Sequence, residues 1–495
     1  MHIENELIAE QLAYDVADER AQAETDHAKM NQEQAEAFEK ICKSVRDRQG
    51  KIFFLNGPGG TGKTFVYNTI CHMLRGEGFI VLCVASSGIA ALLLTGGRTA
   101  HFAFKIPVEG LNEESICSIL KESQRAALLR MTRLIIWDEM TMQHRNAAEA
   151  VDRTLRDICD NDVLFGGITV VFGGDYQQIL PVVPKGSPED IVAATLQRSS
   201  IWQHVEVLRL TQNMRLDQSN EAQEFARWLL DVGHGRGLSA ERKVSLPQEM
   251  VTGDIDNLID TIYPAIAIDR PIPPPDYFLQ RTILAARNSD VDDINRKVLD
   301  RMPGEQQIFV SADSIAREAG ADGDLNEAVP VEYLRSLEAS GLPPGELCLK
   351  PGCPLILLRN LSPANGLCNG SRMVLLRATG RVLETRIIGG DHNGEIALIP
   401  RITLTPSARN AGFPFVLKRR QFPVRLAFAI SINKAQGQSI TNVGIDLRVP
   451  VFSHGQLYVA LSRATSKSSV KVLLPPEELR TCTTPNVVYP QVLLD

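Results

Sequence analysis

Lys51-Ile-Phe-Phe-Leu-Asn-Gly57-Pro-Gly-Gly-Thr-Gly-Lys63-Thr64 is the stretch of this sequence that decides its fold. An apolar run enters a glycine-rich loop, and a helical pattern follows it. The loop fits the phosphate-binding pattern, in which backbone N–H groups surround the phosphates, the lysine reaches the β- and γ-phosphate oxygens, and the hydroxyl residue binds Mg²⁺. The sequence therefore predicts ATP and Mg²⁺ as cofactors. The predicted nucleotide contacts are Gly57, Gly59, Gly60, Thr61, Gly62, Lys63 and Thr64.

Two further apolar runs end in polar side chains that complete such a site. Leu134-Ile-Ile-Trp-Asp138-Glu139 follows the loop by about 75 residues. It predicts Asp138 as a second metal ligand, through water, and Glu139 as the residue that polarises the attacking water. Phe172-Gly-Gly-Asp175-Tyr-Gln-Gln178 predicts that Gln178 senses the γ-phosphate. The alternatives are a solvated strand end for the acidic pair and a polar turn for the glutamine.

Apolar runs and helical patterns alternate along the chain, which predicts an α/β fold with parallel sheets covered on both faces. The strand-like runs are 79–85, 133–137 and 168–172, then 207–210, 282–286, 427–432 and 470–474. We expect two RecA-like lobes. Residues 30–205 form the first, and 206–304 with 426–495 form the second. Residues 305–425, with short β-branched runs and many glycines, form a β-rich insertion. Residues 1–29 form an acidic helical extension, frayed or the stump of a longer protein.

Composition limits the class of protein but does not choose the partner. Hydrophobic residues make up 44% and charged residues 22%, as in ordinary globular proteins. Nine cysteines without regular spacing argue against a disulfide framework, and Cys348, Cys353 and Cys368 lack a fourth ligand for zinc. The uncharged stretch 78–97 is interrupted by Ser86-Ser87-Gly88, so it is interpreted as a buried strand, a loop and a helix. We expect a soluble protein of a reducing intracellular compartment, with no signal peptide and no membrane partner.

The charge is unevenly distributed. The chain carries −7 overall; residues 1–29 hold eight acids against two bases, and residues 345–495 hold eighteen Lys and Arg against eight Asp and Glu. A basic C-terminal third permits contact with nucleic-acid phosphates, although scattered solvated arginines would give the same count. Phosphoryl transfer also needs positive charge on the far side of the γ-phosphate. The sequence settings single out Arg215, in 210–215, and Arg463, in 458–463.

With these residues in place, the chain resembles the PIF (petite integration frequency) family of DNA helicases, in the B branch of helicase superfamily one. Asn31-Gln-Glu-Gln34 resembles the Q motif. Ala85-Ser-Ser-Gly88 and Gly97-Arg-Thr99-Ala-His101 resemble the motif Ia region. Residues 148–167 resemble the family signature element, residues 428–439 resemble motif V, and residues 456–463 resemble motif VI.

Other segments are similar to the helicase portion of Helitron transposon proteins. They are 357–372, with Arg359 and Asn360, then 415–424 and the ending 486–489. No His-hydrophobe-His pair is present, so we expect a separated helicase module, or a gene model that covers only the helicase end, rather than a nuclease–helicase. Two positions depart from the family pattern: Asn433 stands where His is common, and Gly173-Gly174 where Thr-Gly is common. We expect Asn433 to change the grip on DNA rather than abolish activity.

The resemblance implies 5′-to-3′ translocation on single-stranded DNA and unwinding at single-strand/duplex junctions, in a monomer. It implies a small wedge region at about 102–130 and an SH3-like fold for the insertion. It adds Gln34 and Gly437 to the nucleotide contacts and places Arg215 and Arg463 at the γ-phosphate. Its DNA contacts are Ser86, Ser87, Gly88, Thr99, His101, Arg359, Asn360, Asn433, Lys434, Gln436 and Ser439. It suggests the nucleus, or the mitochondrion, and a role in DNA repair, recombination, telomere maintenance or transposon replication.

Two other classes of function stay open at this point. A DNA-binding ATP switch or an inactive transposon remnant would bind DNA without unwinding it. A small-molecule kinase would use the same phosphate loop, but it would leave the motifs after residue 205 without a purpose.

Overall fold

The structure, a computed structural model, describes residues 5–214, 220–315, 329–339, 341–406 and 415–494. The helices are α1 Glu6–Gln11, α2 Val16–His27, α3 Gln32–Arg46, α4 Lys63–Gly76, α5 Gly88–Leu92, α6 Ala100–Phe104, α7 Gln124–Met131, α8 Arg145–Ile158, α9 Pro188–Ala193, α10 Asn220–His234, α11 Ile255–Ile262, α12 Pro275–Leu279, α13 Asn288–Arg301, α14 Val331–Ser336, α15 Gln456–Leu461 and α16 Pro476–Leu479.

The strands fall into six sheets. They are β1 Ile52–Asn56, β2 Ile80–Ala85, β3 Arg98–Thr99, β4 Thr132–Asp138, β5 Thr169–Gly174, β6 Val205–Arg209, β7 Lys243–Ser245, β8 Val251–Thr252, β9 Arg281–Ala285, β10 Gln307–Val310, β11 Ala312–Ile315, β12 Glu346–Leu349, β13 Pro354–Leu357, β14 Arg372–Ala378, β15 Val382–Ile388, β16 Ile396–Pro400, β17 Ile402–Leu404, β18 Leu417–Gln421, β19 Val424–Leu426, β20 Ala429–Ser431, β21 Asn442–Asp446, β22 Val470–Leu473 and β23 Thr483–Pro485.

The chain folds into two units. The first unit comprises Met1–Arg242, Phe452–Ser462 and Asn486–Asp495, and the second comprises Lys243–Val451 and Arg463–Pro485. The chain therefore passes between the units several times. Within the described ranges, no helix combines the length and the apolar character that a membrane span requires.

A parallel six-stranded sheet in the order β3-β2-β4-β5-β1-β6 forms the centre of the first unit. Successive residues of β1 point to opposite faces, since Phe53 and Leu55 belong to one hydrophobic core and Ile52 and Phe54 to the other. Helices α3 and α4 cover the first of these faces, and α8 covers the second. Both faces are buried, which explains why the strands are nearly continuous apolar runs.

A parallel five-stranded sheet in the order β20-β9-β21-β22-β8 forms the centre of the second unit. An antiparallel sheet in the order β16-β15-β14-β13-β19 shares one hydrophobic core with it, through residues such as Ile283 and Phe428 on one side and Leu355 and Met373 on the other. The two parallel sheets confirm the predicted α/β class. The predicted insertion at 305–425 contains mostly antiparallel strands, and its SH3-like character stays a prediction.

The predicted lobe boundaries need correction at two places. The sequence places residues 206–209 in the second lobe, but the strand Val205–Arg209 pairs in parallel with β1 and closes the edge of the first sheet. An apolar run identifies a strand without saying which sheet it joins. Residues 426–495 were also assigned wholly to the second lobe, whereas 452–462 and 486–494 pack in the first unit. Buried side chains on α15, Tyr458 among them, form these contacts.

The prediction that residues 1–29 are frayed is wrong for the described part of this segment, although its helical character is confirmed. Asp15 caps α2, which packs along α4. Glu19 accepts a hydrogen bond from His72 at 2.8 Å, and Arg20 donates to the carbonyl of Gly76 at 2.6 Å. The Tyr14 ring lies 4.2 Å from the Arg75 guanidinium. The segment is short of large apolar side chains, but polar and cation–π contacts hold it in place.

Candidate nucleotide and nucleic-acid site

The phosphate loop lies between β1 and α4, at the carboxyl edge of the first sheet. Lys63 begins α4, and its Nζ donates to the carbonyl of Gly57 within the loop itself. Gly62 has φ +85°, and a Cβ there would lie 2.5 Å from Nε2 of Gln34. Glycine is therefore required by both the left-handed backbone and the close approach of Gln34.

Gln34, on helix α3, supports the phosphate loop. It forms a capping box with Asn31, whose N–H donates to Oε1 of Gln34 at 3.1 Å, and its Nε2 donates to the carbonyl of Thr61 at 3.0 Å. Its side chain is buried. Gln34 therefore braces the phosphate loop, and adenine recognition by this residue stays a prediction.

Residues 210–214 return to the phosphate loop from β6. The Asn213 side chain donates to the carbonyl of Gly59 at 3.2 Å, and the Met214 N–H donates to the carbonyl of Gly60 at 2.8 Å. Glu33 fixes the start of this segment, because the Thr211 N–H and hydroxyl donate to its carboxylate at 2.6 and 2.5 Å. The chain thus reaches the loop immediately before Arg215, which lies outside the described residues.

Asp138 ends β4 next to the phosphate loop. Burial raises the pKa of its carboxyl, and the nearby Lys63 ammonium opposes this shift. Among the described residues, none donates a hydrogen bond to its buried Oδ1. A buried carboxylate oxygen without a donor among the described residues fits a Mg²⁺ ion, which prefers hard oxygen ligands and retains water. The other predicted ligand, Thr64, lies in the first turn of α4.

Tyr67 occupies the space beside Asp138. Its hydroxyl is buried, and burial, with Asp138 and Glu139 adding, raises its pKa well above the usual value. A Cβ at Gly173 would lie 1.7 Å from the Tyr67 hydroxyl and 3.0 Å from Asp138 Oδ1. The departure from Thr-Gly at 173–174 therefore has a structural reason, since the tyrosine hydroxyl fills the volume that a side chain at 173 would need. No pattern in the sequence marks Tyr67 as part of the site.

Glu139 has a left-handed backbone, with φ 54° and ψ 38°, and it is buried. A non-glycine residue in this region is strained, and such strain concentrates at functional sites. The left-handed backbone at Glu139 ends the extended conformation of β4, at the edge of the sheet beside the phosphate loop.

Asp175 organises the end of the neighbouring strand β5. Its carboxylate accepts hydrogen bonds from Nε2 of Gln178 at 3.1 Å and from the hydroxyl of Tyr458 at 3.1 Å. Within the described chain, Oε1 of Gln178 is buried without a donor. Asp175 therefore positions the predicted γ-phosphate sensor and joins it to α15. Tyr458 lies in the segment that resembles motif VI, but its contact with Asp175 was not predicted, because nothing local in the sequence reveals a partner 283 residues away.

His454, which precedes α15, also joins this part of the chain to the loop after β5. Its Nε2 lies 2.7 Å from the carbonyl oxygen of Tyr176, and its Nδ1 accepts the Tyr489 N–H at 2.8 Å. Burial lowers the pKa of His454 to about 4, so the ring is neutral near pH 7 and its Nε2 carries the donated proton.

The DNA contacts predicted for the first unit lie at the same sheet edge. The Ser86 N–H donates to the carbonyl of Asp138 at 3.2 Å, and Ser87 caps α5, which begins at Gly88. Thr99 precedes α6, which carries His101, and burial lowers the pKa of His101. Because β2 and β3 are parallel neighbours, their ends bring these residues together.

The remaining predicted residues belong to the second unit. Asn433, Lys434, Gln436, Gly437 and Ser439 form the loop after β20. Arg463 is buried and donates to the carbonyls of Ala435 at 3.3 Å and Gln438 at 2.9 Å, so it supports this loop. Arg359 and Asn360 follow β13 and are exposed, and Asn360 accepts the Asn369 N–H at 2.7 Å.

The chain is similar to known helicases in sequence. Residues 29–243 match a family model described as PIF1-like helicase, and residues 332–377 match one described as DNA helicase Pif1, 2B domain. The chain is 28% identical over 461 residues to the human ATP-dependent DNA helicase PIF1, which covers 90% of this chain and 60% of the relative. It is 27% identical to the ATP-dependent DNA helicase RRM3 of Saccharomyces cerevisiae, covering 90% and 65% of the two chains. The chain thus spans under two thirds of the length of these relatives.

Solved structures of similar proteins have the same fold. A structure described as two coordinating Pif1 helicases at forked double-stranded DNA has TM-score 0.63 at 22% identity and covers 94% of each chain. Pif1 from Bacteroides bound to single-stranded DNA has TM-score 0.62 at 22% identity, covering 92% of this chain and 94% of that one.

Proposed function

This chain belongs to the PIF1-like helicase family, and on that premise we propose that it is an ATP-dependent DNA helicase that moves 5′-to-3′ along single-stranded DNA. The observation that carries the proposal is the arrangement at the carboxyl edge of the first sheet. Lys63 in the phosphate loop, Asp138 with an oxygen that accepts no hydrogen bond from the described residues, and the strained Glu139 stand together there. This set of groups suits hydrolysis of a nucleoside triphosphate.

Each group has a proposed role in hydrolysis. Lys63 releases the Gly57 carbonyl and binds the β- and γ-phosphate oxygens. Thr64 and Asp138 would hold a Mg²⁺ ion, which would neutralise phosphate charge. Glu139 accepts a proton from the attacking water, and Gln178, oriented by Asp175, responds to the γ-phosphate.

Two arginines are proposed to stabilise the charge on the transferred phosphoryl group. Support for Arg215 comes from its chain neighbour Met214, whose N–H is bonded to the phosphate loop. Support for Arg463 comes from its place two residues after α15. Gly437 is proposed as a further nucleotide contact, because its φ of +79° lets the loop after β20 turn sharply.

We propose that Ser86, Ser87, Gly88, Thr99, His101, Arg359, Asn360, Asn433, Lys434, Gln436 and Ser439 contact the DNA strand. The Ser86 N–H donates to the carbonyl of Asp138, so the backbone of a proposed DNA contact is hydrogen-bonded to the backbone of a proposed nucleotide contact. This bond supports coupling between DNA binding and the nucleotide site. The physiological setting proposed is the nucleus or the mitochondrion, in repair, recombination, telomere maintenance or transposon replication. A monomeric state, junction binding, the wedge at 102–130 and the Helitron relationship rest on the sequence resemblance.

The deciding experiment compares unwinding of 5′-tailed and 3′-tailed duplexes. We expect displacement of the 5′-tailed duplex only, and an ATPase rate that single-stranded DNA stimulates. Lys63→Ala and Glu139→Gln should abolish both activities, while Glu139→Gln should still bind ATP. An ATPase rate indifferent to DNA, or binding of DNA without displacement of either duplex, contradicts the proposal, and the second result identifies a DNA-binding switch.

A further inference from the structure

An exposed aromatic ring with cations over it lies on the first unit, at Phe102, where the predicted wedge region begins. The ring of Phe102 is 44% exposed. The Nζ of Lys105 lies 4.8 Å from its centroid, and the guanidinium carbons of Arg125 and Arg98 lie 5.4 and 5.9 Å away. We call these four residues the Phe102 platform.

The backbone builds this platform. Phe102 and Phe104 are both on α6, but Phe104 is buried and stacks at 5.7 Å on Trp137. Burial of Phe104 holds the helix so that Phe102 faces outward. Nη1 of Arg125 donates to the carbonyls of Phe102 and Ala103 at 3.1 and 2.7 Å, which fixes the last turn of α6.

This combination of groups is the one that recognises single-stranded nucleic acid without regard to sequence. Bases stack on an aromatic face, and cations that lie over the ring can turn from it to the phosphates on either side of a stacked base. The platform also adjoins Thr99 and His101, so a strand held by those residues has Phe102 in its path. A protein partner that docks through an apolar surface would not require three cations at one aromatic ring.

We propose that the Phe102 platform stacks a base of single-stranded DNA, with Arg98 and Lys105 contacting the adjacent phosphates and Arg125 positioning the ring. The inference deepens the proposed helicase function and rests on it for the choice of ligand. It adds a stacking residue at a position that the sequence motifs do not mark.

The N-terminal segment supplies a competing anion. Oε1 of Glu10 accepts a hydrogen bond from Nη2 of Arg98 at 2.7 Å, and this ion pair is partly exposed to solvent. An incoming phosphate must displace Glu10 from Arg98. The acidic segment therefore weakens the grip of the platform on DNA, and it does so most at low ionic strength, where exposed charges interact most strongly.

The test measures the affinity of the full chain, without nucleotide, for fluorescein-labelled single-stranded oligodeoxyadenylate by fluorescence anisotropy. Phe102→Trp keeps a stacking face, and Phe102→Leu keeps apolar bulk without one. We expect Phe102→Trp to bind as the wild type does, and Phe102→Leu to bind roughly five-fold or more weakly, as loss of one stacked base predicts. Equal binding by the wild type and Phe102→Leu overturns the proposal.

The charged residues are tested through the salt dependence of binding. Lys105→Gln should lower the slope of log affinity against log salt by about 0.7, the value for one phosphate contact on a single strand. Glu10→Gln should raise the affinity at low salt. Lys40→Gln is the matched control, because it breaks the exposed pair of Lys40 with Glu206 in the same unit. A slope change as large in Lys40→Gln as in Lys105→Gln counts against the platform.

Failure of the helicase proposal gives a different pattern. If DNA does not stimulate the ATPase but Phe102→Leu still weakens binding, the platform stands and the motor function falls. If DNA stimulates the ATPase and the Phe102 variants bind equally, the motor stands and the platform falls. Absence of any single-strand binding by the wild type contradicts both.

Discussion

At the scale of single residues, Gly173 and Tyr67 show how the site depends on one missing side chain. A Cβ at Gly173 would lie 1.7 Å from the Tyr67 hydroxyl, and Tyr67 is fully buried on α4. We expect Gly173→Ala to displace Tyr67 and to lower the free energy of unfolding by about 1–3 kcal/mol. It should also slow ATP hydrolysis, because Asp138 borders the same space. Urea unfolding and ATPase rates measure the two effects.

The companion variant tests the cause. Tyr67→Phe removes the atom that the new Cβ would meet first, so Gly173→Ala with Tyr67→Phe should recover part of the lost stability. If Gly173→Ala alone is as stable as the wild type, the tyrosine does not occupy this space as described.

His454 gives the protein a dependence on acid that follows from its burial. Its pKa is lowered to about 4, against about 6.5 in an unfolded chain. Between pH 6.5 and pH 4 the unfolded state binds one proton at His454 that the folded state does not bind. The contribution of the neutral ring to stability is therefore fully present above about pH 6.5 and declines as the pH falls toward 4. The loss by pH 4 is about 3 kcal/mol for this one group. Thermal unfolding across this pH range measures it.

The control for this prediction is His454→Gln, which cannot take up the proton. The variant should be less stable at neutral pH, because one of two buried hydrogen bonds is weakened. Its stability should change less with pH between 6.5 and 4 than that of the wild type. Parallel pH profiles for the two proteins would show that other groups control acid sensitivity.

Residues of the phosphate loop and the acidic strand end were predictable because their chemistry is written in consecutive positions. Tyr67, Tyr458 and His454 were not, because their partners are distant in sequence or their role depends on the volume of a neighbour. Local patterns carry no information about such contacts.

At the scale of elements, helix α3 controls the segment that follows β6. Glu33 accepts hydrogen bonds from the N–H groups of Thr211 and Gln212 and from the Thr211 hydroxyl. Burial raises the pKa of Glu33, but the hydrogen bonds from Thr211 and Gln212 together lower it by more than burial raises it. The net shift of the pKa is therefore downward. We expect Glu33→Gln to loosen residues 211–214 on the phosphate loop and to weaken ADP binding about ten-fold. Titration with a fluorescent ADP analogue measures the change.

The pH dependence of ADP binding supplies a second check on Glu33. Because its folded pKa is below the ordinary value, its contribution is present above that ordinary value and is lost as the pH falls through the folded pKa. The Glu33→Gln variant has no carboxyl group at this position, so its affinity for ADP should lack this part of the pH dependence. Glu36→Gln is the matched control on α3, since Glu36 is exposed and accepts a hydrogen bond from Gln32. An equal loss of affinity in both variants would rule out a specific role for Glu33.

Most strands of the two parallel sheets were predictable as apolar runs, but their membership in a sheet was less so. The runs at 133–137 and 168–172 became β4 and β5 almost as expected, because buried parallel strands are apolar on both faces. Val205–Arg209 is an edge strand with mostly half-buried residues, so its pattern did not distinguish the two lobes. Sheet order is decided by pairing over long sequence distances, which an apolar run does not encode.

At the scale of the whole molecule, the units are built from interleaved segments, and this was not apparent from the sequence. The first unit takes two short pieces, 452–462 and 486–494, from a region that otherwise builds the second. The resemblance to a helicase family predicted two parallel-sheet lobes. It did not predict which residues of the C-terminal region pack with which lobe, because burial of Tyr458 and Val492 depends on contacts formed only after folding.

This interleaving makes residues 486–494 part of the first unit. Val492 is fully buried in its core, and its carbonyl accepts a hydrogen bond from Gln197 at 2.8 Å. The Asn486 side chain donates to the carbonyl of Val232 at 2.8 Å. A chain ending at Pro485 should therefore lose about 3 kcal/mol or more from the first unit, since one buried valine alone contributes about 1.5–3 kcal/mol. It should also leave His454 without the Tyr489 N–H.

Thermal unfolding with and without ADP distinguishes the units in this truncated chain, because a ligand stabilises only the unit that binds it. The transition that ADP shifts should move to lower temperature on truncation, while the other transition stays near its original position. Val492→Ala in the full chain should move the same transition by a smaller amount, because it removes part of one side chain and keeps the hydrogen bonds. A truncation that lowers only the ADP-insensitive transition would place residues 486–494 in the second unit.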